Sequence, residues 1–148
     1  QVQDHPNACR NDVDSKRPRF WSNSARLLSR DNEGRGFRWA NGNGVFTGFN
    51  TILPPGRELC VRFGPTGLGV LPASSQHPGG VHGLMSDGAV AFISDSIDAG
   101  NSNHGTIRLG ASTSRAPGSE SPYGVWGAMG TKAGREAPNR AAPFGHGD

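Results

Sequence analysis

Hydrophobic residues are most concentrated at residues 81–93, where two apolar runs flank the dipeptide Asp87-Gly88. Asp-Gly is well suited to the positive φ values of a two-residue type I′ turn, so the pattern predicts a β-hairpin. Such a turn pairs Met85 with Val90 and continues one-to-one along both strands. Because side chains alternate between the faces of a strand, both faces are expected to carry apolar residues and to be at least half covered.

Shorter apolar runs elsewhere predict small elements separated by turns. Ser22 and Ser24 can cap a two-turn helix over residues 25–30. The buried residues of this helix are expected to be Trp21, Leu27 and Leu28. A second helical turn is predicted at residues 123–129, with Trp126 directed inward. Further short strands are expected at residues 37–40, 45–53, 61–63, 68–71 and 104–109.

The composition limits the size of the core. The chain has 148 residues, of which 33% are hydrophobic, and it contains 23 glycines and 11 prolines. This length suits one domain, and so much glycine and proline favours turns and irregular backbone. We therefore expect a single glycine-rich antiparallel β domain over residues 1–148, mainly β and α+β at the margin, with one or two short helices.

Charge and hydropathy argue against two classes of partner. The net charge is only +3, and the basic residues form no stripe with interleaved aromatics, so nucleic-acid binding is not expected. No run approaches the roughly 18 apolar residues that a membrane-spanning helix needs. Since the first residue is Gln1 rather than Met, we expect a soluble chain released from a precursor, with no membrane contact in this form.

The chain has two cysteines, Cys9 and Cys60. Two cysteines suit a single disulfide in a secreted protein better than a metal site, which needs further ligands at short spacing. Closing a loop of this length would stabilise the folded state by about 4 kcal/mol in the chain-entropy model. A pair of unpaired buried thiols is the alternative.

Residues with catalytic chemistry do not form a convincing set. Ser74, Ser75, His77 and Asp87 include a nucleophile, a base and a carboxylate. An extended strand between His77 and Asp87 would hold them roughly 30 Å apart. Asp87 is first a turn former, so we expect no enzymatic activity.

The segment after the hairpin is rich in oxygen ligands. Asp95, Asp98, Asn101 and Asn103 lie within nine residues, and Gly100 allows a tight turn, which is a composition suited to Ca²⁺. The spacing is not that of an EF-hand loop. Asn and Asp are also common in plain loops because they cap and turn well, so an ordinary loop is the alternative. A weaker candidate is a zinc site formed by His77, His82 and His104.

The polar segments of the chain carry their own expectations. The N-terminal arm, residues 1–19, should be irregular and fixed by Cys9, and the C-terminal tail, residues 134–148, should be disordered in isolation. Either contacts with neighbouring copies or folding back onto the same subunit would order such segments. Residues 111–122 are predicted to form an exposed loop. The alternative is an O-glycan carrier whose candidate sites are Ser112, Thr113 and Ser114.

Several motifs follow one another in an order that resembles a known family. They are Gly34-Arg35-Gly36-Phe37-Arg38-Trp39-Ala40, residues 46–55, Cys60 and residues 126–134. His77, nine residues and then Asp87-Gly88 add the spacing H-x9-DG. Together these motifs resemble the prepilin-type, processing-associated H-x9-DG domain family of pilin-like secreted bacterial proteins, over most of residues 20–137. The resemblance implies a pilin-like globular head, here without the long apolar N-terminal helix of that family.

The resemblance also implies a function. It indicates a structural subunit of an extracellular filament or surface assembly, secreted or at the cell surface, that polymerises with copies of itself. Because the apolar N-terminal helix that drives polymerisation in that family is missing here, we expect assembly through β-edges or terminal arms. Two alternatives stay open: a minor pseudopilin or adaptor of a type II-like secretion system, and an extracellular calcium- or glycan-binding module. Ca²⁺ is the stronger of the two candidate metal cofactors. A glycan-binding module would expose Trp39 or Trp21 as a stacking platform, whereas ordinary packing would bury both.

Overall fold

The computed structural model describes residues 2–27, 34–111 and 115–131. Its elements are a 3₁₀ helix at Pro6–Asp12, helix α1 at Gly44–Thr47, strands β1 (Cys60–Val61), β2 (Gly69–Val70), β3 (Gly80–Leu84) and β4 (Val90–Ser94), and helix α2 at Gly124–Met129. The candidate glycan sites Ser112, Thr113 and Ser114 and the tail at residues 134–148 lie outside the described residues. Within those residues no helix is long and apolar enough to cross a membrane.

The strands form two separate antiparallel sheets of two strands each. β1 pairs with β2, with Cys60 opposite Val70, and β3 pairs with β4 to form the predicted hairpin. β2 lies within the strand candidate at residues 68–71, whereas β1 begins one residue before the candidate at residues 61–63 and shares only Val61 with it. With a few short helices beside these sheets, the fold is the small, mainly β architecture at the margin of α+β that the composition predicts.

The core that supports the hairpin is built around Trp126 of α2. Trp126 is buried and packs against Val81 of β3 and Ile93 of β4. Its indole Nε1–H donates a hydrogen bond of 2.8 Å to the carbonyl oxygen of Leu53, so the ring is buried without leaving its polar group unsatisfied. The predicted helical turn with Trp126 directed inward is confirmed.

Residues 45–53 do not form the predicted strand. α1 makes one helical turn, and Val45 and Phe46, which are adjacent in the sequence, are both buried. A strand would have directed these two side chains to opposite faces. The chain after α1 is irregular, and the side-chain amide of Asn50 joins it to β2 and the following residue through two hydrogen bonds of 3.1 Å each. The backbone N–H of Asn50 also donates to the carbonyl of Leu71 at 2.8 Å, so one backbone bond and one side chain take the place of a longer strand pairing.

Two other predicted strands are wrong, because residues 37–40 form turns and residues 104–109 are irregular. Of the predicted helix at residues 25–30, residues 25–27 are not helical, and residues 28–30 lie outside the described residues. Leu27 is exposed rather than buried, and Leu28 lies outside the part of the chain that the structure describes. Such short patterns carry little local preference, so tertiary contacts decide their conformation.

The N-terminal arm folds back onto its own subunit. A disulfide joins Cys9 in the 3₁₀ helix to Cys60 in β1, with a Cα–Cα distance of 6.5 Å, which confirms the predicted bridge. The backbone N–H of Thr106 donates to the carbonyl of Gln3 at 2.8 Å, so the arm provides a partner for the segment at residues 104–109. Of the two ways to order this arm, the structure shows the intramolecular one.

Candidate assembly surface

The hairpin turn contains three residues rather than the predicted two. The N–H of Met85 donates to the carbonyl of Ala89 at 2.8 Å, and the N–H of Gly88 donates to the carbonyl of Met85 at 3.0 Å. Gly88 has φ +88°, whereas Asp87 has no positive φ, so the type I′ prediction is wrong. The geometry is that of a type I turn followed by a left-handed glycine. Asp87 stabilises it by accepting the N–H of Ala89 on its carboxylate at 2.9 Å.

The longer turn shifts the pairing by one residue from the predicted register. Val90 lies opposite Leu84 rather than Met85, and Phe92 lies opposite His82. Residues directly opposite each other share a face of the sheet. One face of the hairpin therefore carries His82, Leu84, Val90 and Phe92, and we call it the outer face.

The other face of the hairpin is the buried one. Val81 and Ile93, which lie opposite each other, are each 8% exposed and pack against Trp126. Gly83 shares this face, and a Cβ atom there would lie 2.9 Å from Cδ1 of Ile93. The glycine thus leaves room for the isoleucine side chain. We call this the inner face.

The outer face is apolar and exposed. The exposed fractions are 76% for Leu84, 68% for Val90 and 54% for Phe92. Phe92 makes an edge contact with His82, with ring centroids 5.2 Å apart. The prediction that both faces are at least half covered is wrong for this face. Because none of its side chains is an acid, a lysine or an arginine, it offers no charge for a charged ligand to recognise.

The two parts of the H-x9-DG spacing lie at opposite ends of the hairpin. Asp87 and Gly88 form its tip. His77 lies before β3 at the base, is exposed, and its backbone N–H donates to the hydroxyl of Ser75 at 3.1 Å. Within one chain the structure does not bring His77 and Asp87 together.

His77 lines a groove of about 470 Å³ at the base of the hairpin. Glu58, in the same groove, pairs with Arg10 and Arg57 at 2.9 Å each. Burial alone would raise the pKa of the Glu58 carboxyl, but its backbone hydrogen bond and the two arginines outweigh this effect and lower the pKa. The pairing between Glu58 and Arg10 ties the N-terminal arm to this side of the molecule.

The residues of the candidate calcium loop make local hydrogen bonds. A carboxylate oxygen of Asp98 accepts the N–H of Gly100 at 2.9 Å, and the side-chain oxygen of Asn101 accepts the N–H of Asn103 at 3.1 Å. These two contacts are Asx turns of the kind that the ordinary-loop alternative describes. Asp95 also lines the groove that contains His77. The calcium site stays a prediction.

The three histidines of the weaker zinc candidate lie on different parts of the fold. His77 is at the base of the hairpin, His82 is on the outer face, and the carbonyl of His104 accepts the hydroxyl of Tyr123 at 2.9 Å. Across residues 2–27, 34–111 and 115–131, no three histidine, cysteine or acidic residues gather as they would around a metal ion. The structure therefore gives the zinc site no support.

Trp39 is an exposed aromatic residue on the turns at residues 37–42. Its exposed fraction is 82%, and Phe37 beside it is exposed as well. These turns line a shallow, open cavity of about 580 Å³. Trp21 is half-buried and forms an isolated bridge with Val13. The expectation that packing buries both tryptophans is wrong for Trp39.

Comparison with known proteins gives one match. No curated protein and no solved structure shows a significant similarity to the chain. A family profile matches residues 2–100, a span that includes the N-terminal arm, the disulfide and the whole hairpin. The chain therefore belongs to the family described as protein of unknown function (DUF1559).

Proposed function

We propose that this chain is a non-catalytic structural subunit of an extracellular, pilin-like filament or surface assembly, built from copies of itself. The observation that carries the proposal is the outer face of the hairpin, where Leu84, Val90 and Phe92 are exposed side by side. Single exposed apolar residues are normal on a protein surface, but a contiguous group marks an interaction site. The family match is compatible with a pilin-like surface protein.

Other apolar side chains of the described surface add to the outer face. Phe63 and Leu68 are also largely exposed. The core around Trp126 is small, so the chain buries little of its apolar surface alone and gains more by association. The disulfide between Cys9 and Cys60 suits an extracellular location, where such bridges persist.

Negative-stain microscopy and sedimentation velocity of the chain over a range of concentrations test this proposal. We expect polymers or large assemblies, and we expect Leu84→Ser to reduce them strongly. Leu109→Ser is the matched control, because Leu109 is also largely exposed but belongs to neither strand of the hairpin. A monodisperse monomer at every concentration would contradict the filament and would favour the adaptor of a secretion system.

A second candidate function rests on Trp39. An exposed indole ring can stack on the apolar face of a sugar, and the neighbouring turns supply the polar side chain of Asn41. Titration with soluble polysaccharides, followed by isothermal titration calorimetry, tests this glycan-binding alternative. We expect Trp39→Ala to abolish any response. Phe63→Ala, at another exposed aromatic residue, is the control and should leave it unchanged.

A further inference from the structure

The loop that joins β1 to β2 carries the further inference, which rests on the proposed function because it supplies a second surface for contact between copies. Phe63 in this loop has φ +63°, and among the described residues it is the one residue other than glycine with a positive φ. This left-handed conformation is unfavourable for a residue with a bulky side chain. Strained backbone of this kind is concentrated at functional sites, such as places that clamp a ligand.

The fold of the single chain gains little from the phenyl ring that this loop presents. The side chain of Phe63 is 84% exposed. The backbone N–H of Arg62 donates to the carbonyl of Leu68 at 2.9 Å, which joins the two ends of the loop. The guanidinium carbon of Arg62 lies 4.3 Å from the centre of the Phe63 ring, a cation–π contact that helps to hold the ring in place. The loop therefore presents an ordered aromatic side chain beside a positive charge.

Phe63 also forms part of the wall of a groove of about 650 Å³. The groove is lined by further apolar side chains, among them Trp21, Leu59 and Val61. Among the described residues that line it, two are arginines, Arg26 and Arg35, and one is an acid, Asp12. Together with Arg62, these side chains give an apolar surface with an excess of positive charge.

The outer face of the β3–β4 hairpin has the complementary composition. Leu84 and Val90 are exposed and lie at the end of the hairpin next to the turn that contains Asp87. Asp87 is itself exposed, and between Gly79 and Ser94 it is the only acid, lysine or arginine. An apolar surface beside a carboxylate thus matches an apolar surface beside arginines.

We propose that the outer face of one copy packs against Phe63 and the adjoining groove of the next copy, with Asp87 facing the arginines. Because this contact joins two different surfaces, it is head to tail rather than two-fold symmetric. Each pair of subunits then keeps an unoccupied outer face at one end and an unoccupied Phe63 loop at the other. Repetition of such a contact builds a filament unless it closes into a ring.

A mixture of two variants tests whether the contact joins different surfaces. Leu84→Ser alters the outer face and keeps the Phe63 loop, whereas Phe63→Gly removes the ring and keeps the outer face. We expect each variant alone to assemble at least roughly tenfold more weakly than wild type, as is usual when an apolar anchor of an interface is truncated. An equal mixture should form one-to-one pairs without polymers, because each pair contains one intact contact. Sedimentation equilibrium and native mass spectrometry measure the products.

Phe63→Gly also separates binding from folding. Glycine adopts a positive φ without strain, so the unfolding midpoint of the monomer should not fall below that of wild type. Phe63→Tyr keeps an aromatic ring at this position and should assemble as wild type does. A loss of assembly by Phe63→Gly at an unchanged or higher midpoint therefore reports the contact and not misfolding.

Replacement of Asp87 tests the charge in the contact. Asp87→Asn keeps a side-chain oxygen that can accept the N–H of Ala89, so the turn is retained while the charge is lost. Assembly of wild type should weaken as salt is added, because salt screens the pairing with the arginines, and Asp87→Asn should lose most of this dependence. Glu120→Gln, at an exposed acid outside the hairpin, is the matched control and should keep it. Equal salt dependence of the two variants would overturn the charge pairing.

The outcomes separate this inference from the proposed function. Polymers of Phe63→Gly equal to those of wild type would overturn the contact and leave the assembly proposal standing. Pairs formed by Phe63→Gly alone would mean that the outer face binds itself, and they would also overturn the contact. Small closed rings of wild type, together with one-to-one pairs in the mixture, would support the contact and count against the filament.

Discussion

The two faces of the β3–β4 hairpin carry similar side chains and have opposite surroundings. On the inner face Val81 and Ile93 are buried against Trp126, whereas on the outer face Val90 and Phe92 are mostly exposed. Valine occurs on both faces, so hydrophobicity does not decide which one is covered. The difference follows from what packs on each side, because Trp126 of α2, together with Ala73 and Ile97, joins the cluster that contains the inner face.

One additional residue in the turn decides which side chains lie on each face of the hairpin. A shift of one residue in a strand pairing changes which side chains share a face. With the three-residue turn, Leu84 joins Val90 and Phe92 on the outer face. This produces the contiguous exposed group on which the proposed assembly depends.

The largest effect should come from truncating the inner face. Ile93→Ala removes buried atoms beside Trp126 and should lower the free energy of unfolding by about 2–5 kcal/mol. Val90→Ala on the outer face is the matched control, and its cost should stay below about 0.5 kcal/mol. Urea unfolding of the monomer measures both. Similar losses for the two variants would contradict the contrast between the faces.

The sequence predicted the hairpin, the inward Trp126 and the disulfide, but it did not predict the register or the exposed face. Two apolar runs around Asp87-Gly88 are compatible with few structures, so the sequence predicts a hairpin there. It does not predict the turn type, because Ser86-Asp87-Gly88 suits both a three-residue loop with glycine in third place and a two-residue turn. The burial of Val45 and Phe46 depends on distant contacts, which periodicity cannot show.

A substitution in the turn tests the left-handed conformation of Gly88. Gly88→Ala places a Cβ atom on a residue with φ +88° and should cost about 1–2 kcal/mol, because this conformation is strained for any residue with a side chain. Gly42→Ala is the matched control. Both glycines have open space around the new Cβ atom, but only Gly88 has a positive φ. Chemical denaturation measures the difference, and equal stability of the two variants would count against the positive φ at Gly88.

High pH should lower the free energy of unfolding through a tyrosine next to α2, the helix whose Trp126 belongs to the core of the inner face. Tyr123, which precedes α2, donates its hydroxyl to the carbonyl of His104, and burial raises its pKa to about 12. The raised pKa means that the folded state keeps the proton, so stability is lost as pH rises from about 10 to about 12, by about 1 kcal/mol after allowance for solvent screening. Tyr123 is the single tyrosine, so tyrosinate absorbance reports it alone.

The same titration has a direct control. Unfolding the chain in denaturant should return the absorbance midpoint to near pH 10, and Tyr123→Phe should remove the contribution of this residue to the pH dependence of stability. A midpoint near 10 in the folded chain would show that the hydroxyl is not buried under α2.

The smallest effect on the monomer should come from the outer face, and there the concentration of the protein decides the result. Leu84→Ser should change the free energy of unfolding by less than about 0.5 kcal/mol at a dilution where the chain is monomeric, because the side chain is already 76% exposed.

If copies cover this face, the apparent stability of wild type rises with protein concentration, since association stabilises the folded state by mass action. The variant should lack this rise. Melting curves at low and high concentration measure it, with Leu109→Ser expected to behave as wild type. A loss of 2 kcal/mol or more by Leu84→Ser in the dilute monomer, judged against the cost of a buried leucine, would mean that this face is covered within the chain itself, and the contrast between the two faces would then disappear.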